Sequence, residues 1–180
     1  MAPLTAQAAE VAQLRLERMD DGIYLSAAVQ FELPPLVVEV LDKGIAIFFV
    51  AEAELFEERW YWADRRVAQA NRHMRLAFQP LTRRWRLNVS PYPITNAGLG
   101  VAFNQNFDSL ADALDAIKRV GRLRLGDLGE LAEGSVHPVS FSFRLDVSQL
   151  PRPFQIGIAG VSDWNMAAER RVRLPLERSP

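Results

Sequence analysis

The run from Gly44 to Asp64, GIAIFFVAEAELFEERWYWAD, limits the fold more than any other part of the chain. Ile45, Ile47, Phe49, Ala51, Ala53 and Leu55 alternate with Ala46, Phe48, Val50, Glu52, Glu54 and Phe56. Successive side chains of a strand face opposite sides of a sheet, so the first set predicts a core-facing row. The second set begins apolar and turns acidic. The pattern predicts the longest strand of the chain, covered on both faces in its first half and emerging into water at its far end. A membrane-spanning helix is excluded for this run, because about 20 consecutive apolar residues are needed and the run breaks at Glu52. The strand leads into a tip crowded with Trp60, Tyr61 and Trp62.

Period-two patterns recur on both sides of it. Ala12 to Arg18 and Ile23 to Leu33 read as a hairpin turning at Asp20-Asp21-Gly22, with Ile23, Leu25, Ala27, Val29, Phe31 and Leu33 inward. Arg66 to Gln79 and Arg84 to Ser90 extend the series as an antiparallel meander, although Arg72 interrupts the apolar face of the first. Val139, Phe141, Phe143, Leu145 and Val147 mark a further strand over Val136 to Val147, and Arg122 to Leu125 a short one. Two helices are predicted. The first opens at Pro34-Pro35, carries Leu36, Val37, Val40 and Leu41 on one stripe and stops at Gly44. The second is capped at Asp108-Ser109, carries Leu110, Leu114 and Ile117, and stops at Gly121. SPYPITNAGLG, from Ser90 to Gly100, reads as a surface loop. Leu150-Pro151-Arg152-Pro153-Phe154 breaks the last clear strand, Ile156 to Val161 suggests an edge strand, and the Arg-rich stretch from Ala167 is expected to fray. The fold class is therefore α+β and β-rich: an antiparallel, sandwich-like arrangement of about seven or eight strands with two short helices. Residues 1–11 read as the remnant of a leader or linker, 12–166 as one globular domain, and 167–180 as a tail.

Composition narrows the chemistry. A net charge of -1 supplies no global field for nucleic acid or acidic lipid. The absence of cysteine removes disulfides, thiolate nucleophiles and Cys-based metal sites. His73 and His137 have no partner at ligand spacing, and no Gly-rich phosphate loop, nucleophile elbow or Ser/His/Asp set stands out. No catalytic residue, metal or cofactor is assigned. Glu52 and Glu54 share one strand face at a spacing a glycosidase can use, but pairing with Arg66, Arg72 and Arg75 on the adjoining strand is the simpler account. Arg83, Arg84, Trp85 and Arg86, with Arg72 and Arg75 upstream, suggest a single-strand nucleic-acid patch, yet Trp85 belongs to an apolar row and is expected to be buried. Thr5-Ala6-Gln7-Ala8-Ala9-Glu10 is like the small-residue end of a secretory leader cut after Ala8.

RWYWAD at 59–64, RLAFQPLTRRWRL at 75–87, NQNFDSLADAL at 104–114, LDVSQLPRPFQ at 145–155 and SDWN at 162–165 together resemble the bacterial domain-of-unknown-function family numbered 4390. The resemblance runs from about Leu14 to Trp164 and departs at SPYPITNAGLG and at the missing N-terminal apolar segment. It implies an exported protein, periplasmic or membrane-anchored, from a gene often placed beside a membrane sensor histidine kinase and an rRNA methyltransferase. It implies no activity. Trp60, Tyr61, Trp62, Arg83, Phe154 and Trp164, all within the matching motifs, are the expected interaction surface for a protein partner at the cell envelope. The alternative is a binding module for an apolar or lipid-like ligand between sheet and helices.

Overall fold

A computed structural model describes residues 9–58, 63–94, 103–127, 131, 134–153 and 166–178. The elements are β1 (Glu10–Met19), β2 (Gly22–Gln30), α1 (Pro35–Asp42), β3 (Ile47–Glu57), β4 (Arg65–Gln79), β5 (Arg84–Ser90), β6 (Phe103–Phe107), α2 (Leu110–Lys118), β7 (Arg119–Gly126), β8 (Val136–Asp146) and β9 (Ala167–Arg178), with a 3-10 turn at Val147–Gln149. The strands form one sheet in the order β6-β5-β4-β3-β8-β9-β1-β2-β7. Every pairing is antiparallel except that of β1 with β9, which is parallel. The sheet curls into a half-barrel, so its own concave face encloses the core. No helix among the described residues is long and apolar enough to cross a membrane.

This corrects the sandwich of seven or eight antiparallel strands. Alternation dictates which side chains turn inward, and a sheet that curls on itself satisfies it as well as two stacked sheets do. It also corrects the frayed tail. Residues 167–178 form β9, which lies between β8 and β1 in the middle of the sheet. Ala168, Val172, Leu174 and Leu176 face one side of it, and Leu176 is 1% exposed. Pro175 falls where β9 leaves the β8 ladder and joins β1, a place where a missing N–H is tolerated. Of the remaining differences, β4 at 15 residues outruns β3 at 11, and β1 begins at Glu10. β6 escapes the sequence reading, because FNQNF carries only two apolar residues. The 90–100 loop begins in β5 and includes a buried Ile94, while its residues 95–100 lie outside the described set. Gly121 does not end α2 but lies inside β7. The edge strand suggested at 156–161 lies outside the described residues.

β3 keeps its two-sided burial. Ile47, Phe49, Ala51, Ala53 and Leu55 are buried on the concave side, and Phe48 and Val50 on the other, beneath Pro93 and Ile94. Within the core the rings of Phe31, Phe49 and Phe143 stack at centroid distances of 5.3 to 5.9 Å. α1 buries Val37, Val40 and Leu41 and ends at Gly44, whose φ of 81° and N–H to the Leu41 carbonyl make the left-handed stop that side chains resist. Gly22 closes the first hairpin, and a Cβ there would lie 2.7 Å from the Gly126 carbonyl oxygen.

α2 joins the two outer strands, β6 and β7, and packs Ala113 and Ile117 against the core near β5, β6, β7 and β2. Its first turn is fixed by Ser109, whose Oγ accepts from the Asp112 N–H at 3.1 Å. Ser109→Ala is expected to cost about 1 kcal/mol, measured by chemical denaturation. A loss under about 0.3 kcal/mol would show the cap to be idle.

Candidate cleft between two strand edges

Among the described residues the sheet has an opening where the edges of β4 and β7 approach each other. β5 pairs with β4 only over His73–Gln79, so residues 65–72 have β3 on one side and no ladder partner on the other among the described residues. β5 stops because Pro91 and Pro93 follow Ser90, and proline offers no N–H to a ladder. β7, which ends the sheet order, pairs only with β2. It approaches β4 across the curl, where Arg72 Nη2 donates to the Gly121 carbonyl at 2.8 Å.

That contact depends on a bulge. Leu25 pairs with Leu123 and Ala27 with Val120, so Gly121 and Arg122 together oppose the single residue Ser26. Arg122 takes φ of 50°, the left-handed region that a residue with a Cβ avoids, and its N–H bonds the Ser26 Oγ at 3.2 Å. Bulges of this kind re-aim backbone and side chains, often beside functional sites. Here the bulge presents the Gly121 carbonyl to Arg72 and brings Arg122 to the cleft.

The cleft has a volume of about 780 Å³. Arg72, Arg122 and Arg124 line it with Asn71, and Tyr92 and Phe103 stand at its rim, 71% and 74% exposed. No acidic residue lines it among the described residues. None of the three arginines is in an ion pair among the described residues. Arg124 Nη2 donates to the Asp21 carbonyl at 2.8 Å, and burial lowers the pKa of Arg72 from its usual value while it stays charged. Asn71 Oδ1 is buried without a hydrogen-bond donor. The arrangement sets open backbone groups beside positive charge.

The predicted carboxylates lie elsewhere. Glu54 pairs with Arg66 at 3.4 Å, one rung of a series that includes Glu57–Arg65 at 2.7 Å. Glu52 is opposite Asn71 on β4 and Ser142 on β8. His73 shares that face half-buried, and burial lowers its pKa, opposed by the nearby Glu52 charge. His137 is buried on β8 with its Nε2 at 2.7 Å from the Ser135 Oγ. Among the described residues no three His, Asp or Glu converge as a metal site would require.

Of the expected interaction surface, Trp60, Tyr61, Trp62, Phe154 and Trp164 lie outside the described residues. The flanks of the aromatic tip are tied to β9, Glu58 to Arg173 at 3.0 Å and Asp64 to Arg171 at 3.6 Å. Arg83 is described: it holds the β4–β5 turn at φ of 55°, its N–H bonded to the Gln79 carbonyl, at the opposite end of β4 from the cleft. The arginines proposed for a nucleic-acid patch are brought together only in part: Arg75 and Arg86 share one face, where burial and then the Arg86 charge lower the pKa of Arg75. Arg72 points to the concave side with Met74, whereas Arg75 bonds Asn88 on the other face. Trp85 is 7% exposed and packs on Phe78 at 4.8 Å, as its apolar row predicts. Sequence reasoning missed Tyr92, Phe103 and Arg122 as a group. The one available signal was Arg72, a charge set into an apolar row.

A family profile for a domain of unknown function, DUF4390, matches residues 6–173, and the chain belongs to that family. No match to a curated protein or to a solved structure was found.

Proposed function

We propose that this member of the DUF4390 family is a non-enzymatic protein-interaction module of the bacterial cell envelope, acting beside a membrane sensor, and that its partner engages the cleft between β4 and β7. One observation carries the reading: two strand edges without ladder partners among the described residues face a cleft lined by three arginines, none in an ion pair among those residues, and by two exposed aromatic rings. An unprotected strand edge is a template for another chain unless a protein blunts it, and exposed aromatics beside it favour an interface over bare solvent. The non-enzymatic part rests on Glu54 being engaged by Arg66. The envelope setting and the sensor rest on the family resemblance.

The test is photo-cross-linking in cells that express the chain from its natural gene. With p-benzoylphenylalanine in place of Tyr92 or Phe103, a discrete protein adduct is expected. At Leu81, which is fully exposed at the far β4–β5 turn, none is expected. Equal labelling at all three positions, or none anywhere, rejects the cleft as the contact surface.

A further inference from the structure

Resting on that reading, we propose that the cleft takes an extended acidic peptide of the partner, which adds as a strand to the free half of β4. The track is already laid out. β5 runs beside β4 over His73–Gln79 and leaves at Pro91, so a peptide paired with residues 65–72 continues the line that β5 vacates. Those eight residues span about 26 Å at about 3.3 Å per residue, room for a peptide of six to eight residues. Main-chain hydrogen bonds to the open edge supply affinity and the side chains supply selection.

The selection is for negative charge. Arg72 and Arg122 reach the cleft from two strands with no carboxylate among its described lining residues, while Arg124 lines the wall and turns its guanidinium to the Asp21 carbonyl. Side chains of an added strand alternate, so acidic residues at every second position meet the arginines while the others turn away. Tyr92 and Phe103 at the rim give one apolar residue of the peptide a place to pack. A single-stranded nucleic acid shares the charge but has no row of N–H and C=O groups to pair with β4. The ring best placed by sequence to stack on bases, Trp85, is buried against Phe78.

The experiment pans a random dodecapeptide library on phage against the full chain and synthesises the winning peptides. The expected winners carry Asp or Glu at alternate positions, and hydrogen exchange shows new protection of the amides in residues 65–72. Arg122→Gly is the informative variant, because glycine is at home at φ of 50° and the fold is kept. It is expected to melt no lower than the parent and to bind the peptide roughly tenfold more weakly. Failure to enrich acidic sequences overturns the proposal. So does binding without protection at 65–72, or an oligothymidine decamer that binds through Arg122 where acidic peptides do not. Cross-links at Tyr92 and Phe103 without protection of 65–72 remove strand addition alone. Absence of both removes the interaction reading as well.

Discussion

A chain ended after Met166 is expected to lose its cooperative unfolding transition altogether. Among the described residues β9 is the only strand that pairs with both β8 and β1. Without it, β6-β5-β4-β3-β8 and β1-β2-β7 share no ladder. The loss includes Leu176, whose N–H and carbonyl bond the Ser135 carbonyl and the Gly134 N–H at 2.8 and 2.9 Å. It also opens β1 and β8, adjacent to the core residues Leu16, Phe141 and Phe143, as unprotected edges. The chain then exposes apolar surface it has no means to cover, and aggregation follows. Near-ultraviolet circular dichroism and a thermal melt decide the matter. A truncated protein that still melts cooperatively within about 5 °C of the parent would show that β9 is peripheral after all.

Phe143→Ala is expected to have the largest effect of any single truncation in the core. Phe143 is fully buried, and its ring lies 5.3 Å from Phe31 and 5.7 Å from Phe49, so three chain segments meet on it. Removing the ring forfeits its transfer energy and leaves a cavity in a cluster that close packing prevents from collapsing fully. The cost is about 3–5 kcal/mol, which lowers the melting temperature by on the order of 10 °C for a chain of this size. Phe103→Ala, at an exposed ring on β6, is the matched control and should shift it by less than about 2 °C. Similar shifts for the two would mean that the aromatic cluster does not organise the core.

The local half of the fold was legible, and the long-range half was not. In β2 from Ile23 and in β8 from Val139 the rule of two is unbroken: Ile23, Leu25 and Val29, then Val139, Phe141, Phe143 and Leu145 are buried, with Ser140, Ser142 and Arg144 opposite. Periodicity reports which side faces the core, and the core decided it. β9 gave no such signal, since AAERRVRLPLER has arginine on both faces and a proline within. It is a strand because two ladders and ion pairs to Glu58 and Asp64 receive it, and of those partners β1, Glu58 and Asp64 lie more than a hundred residues away in sequence. The cleft was hidden for the same reason. Gly121-Arg122 looks like a helix stop in sequence, and only the register against Ser26 makes it a bulge. Tyr92 and Phe103 flank a stretch without periodicity, so nothing local joins them to Arg72.

The path of the chain between the sheet's two outermost strands has a mechanical consequence. Phe107 at the end of β6 and Arg119 at the start of β7 are linked through α2, a helix of nine residues. Such a helix is about 13 Å long, and it is anchored to the interior by Ala113 and Ile117. It acts as a clasp across one end of the curl and limits how far the rims can part there. Any widening to admit a guest is therefore confined to the unclasped end, where the hydrogen bond from Arg72 to Gly121 forms a releasable latch.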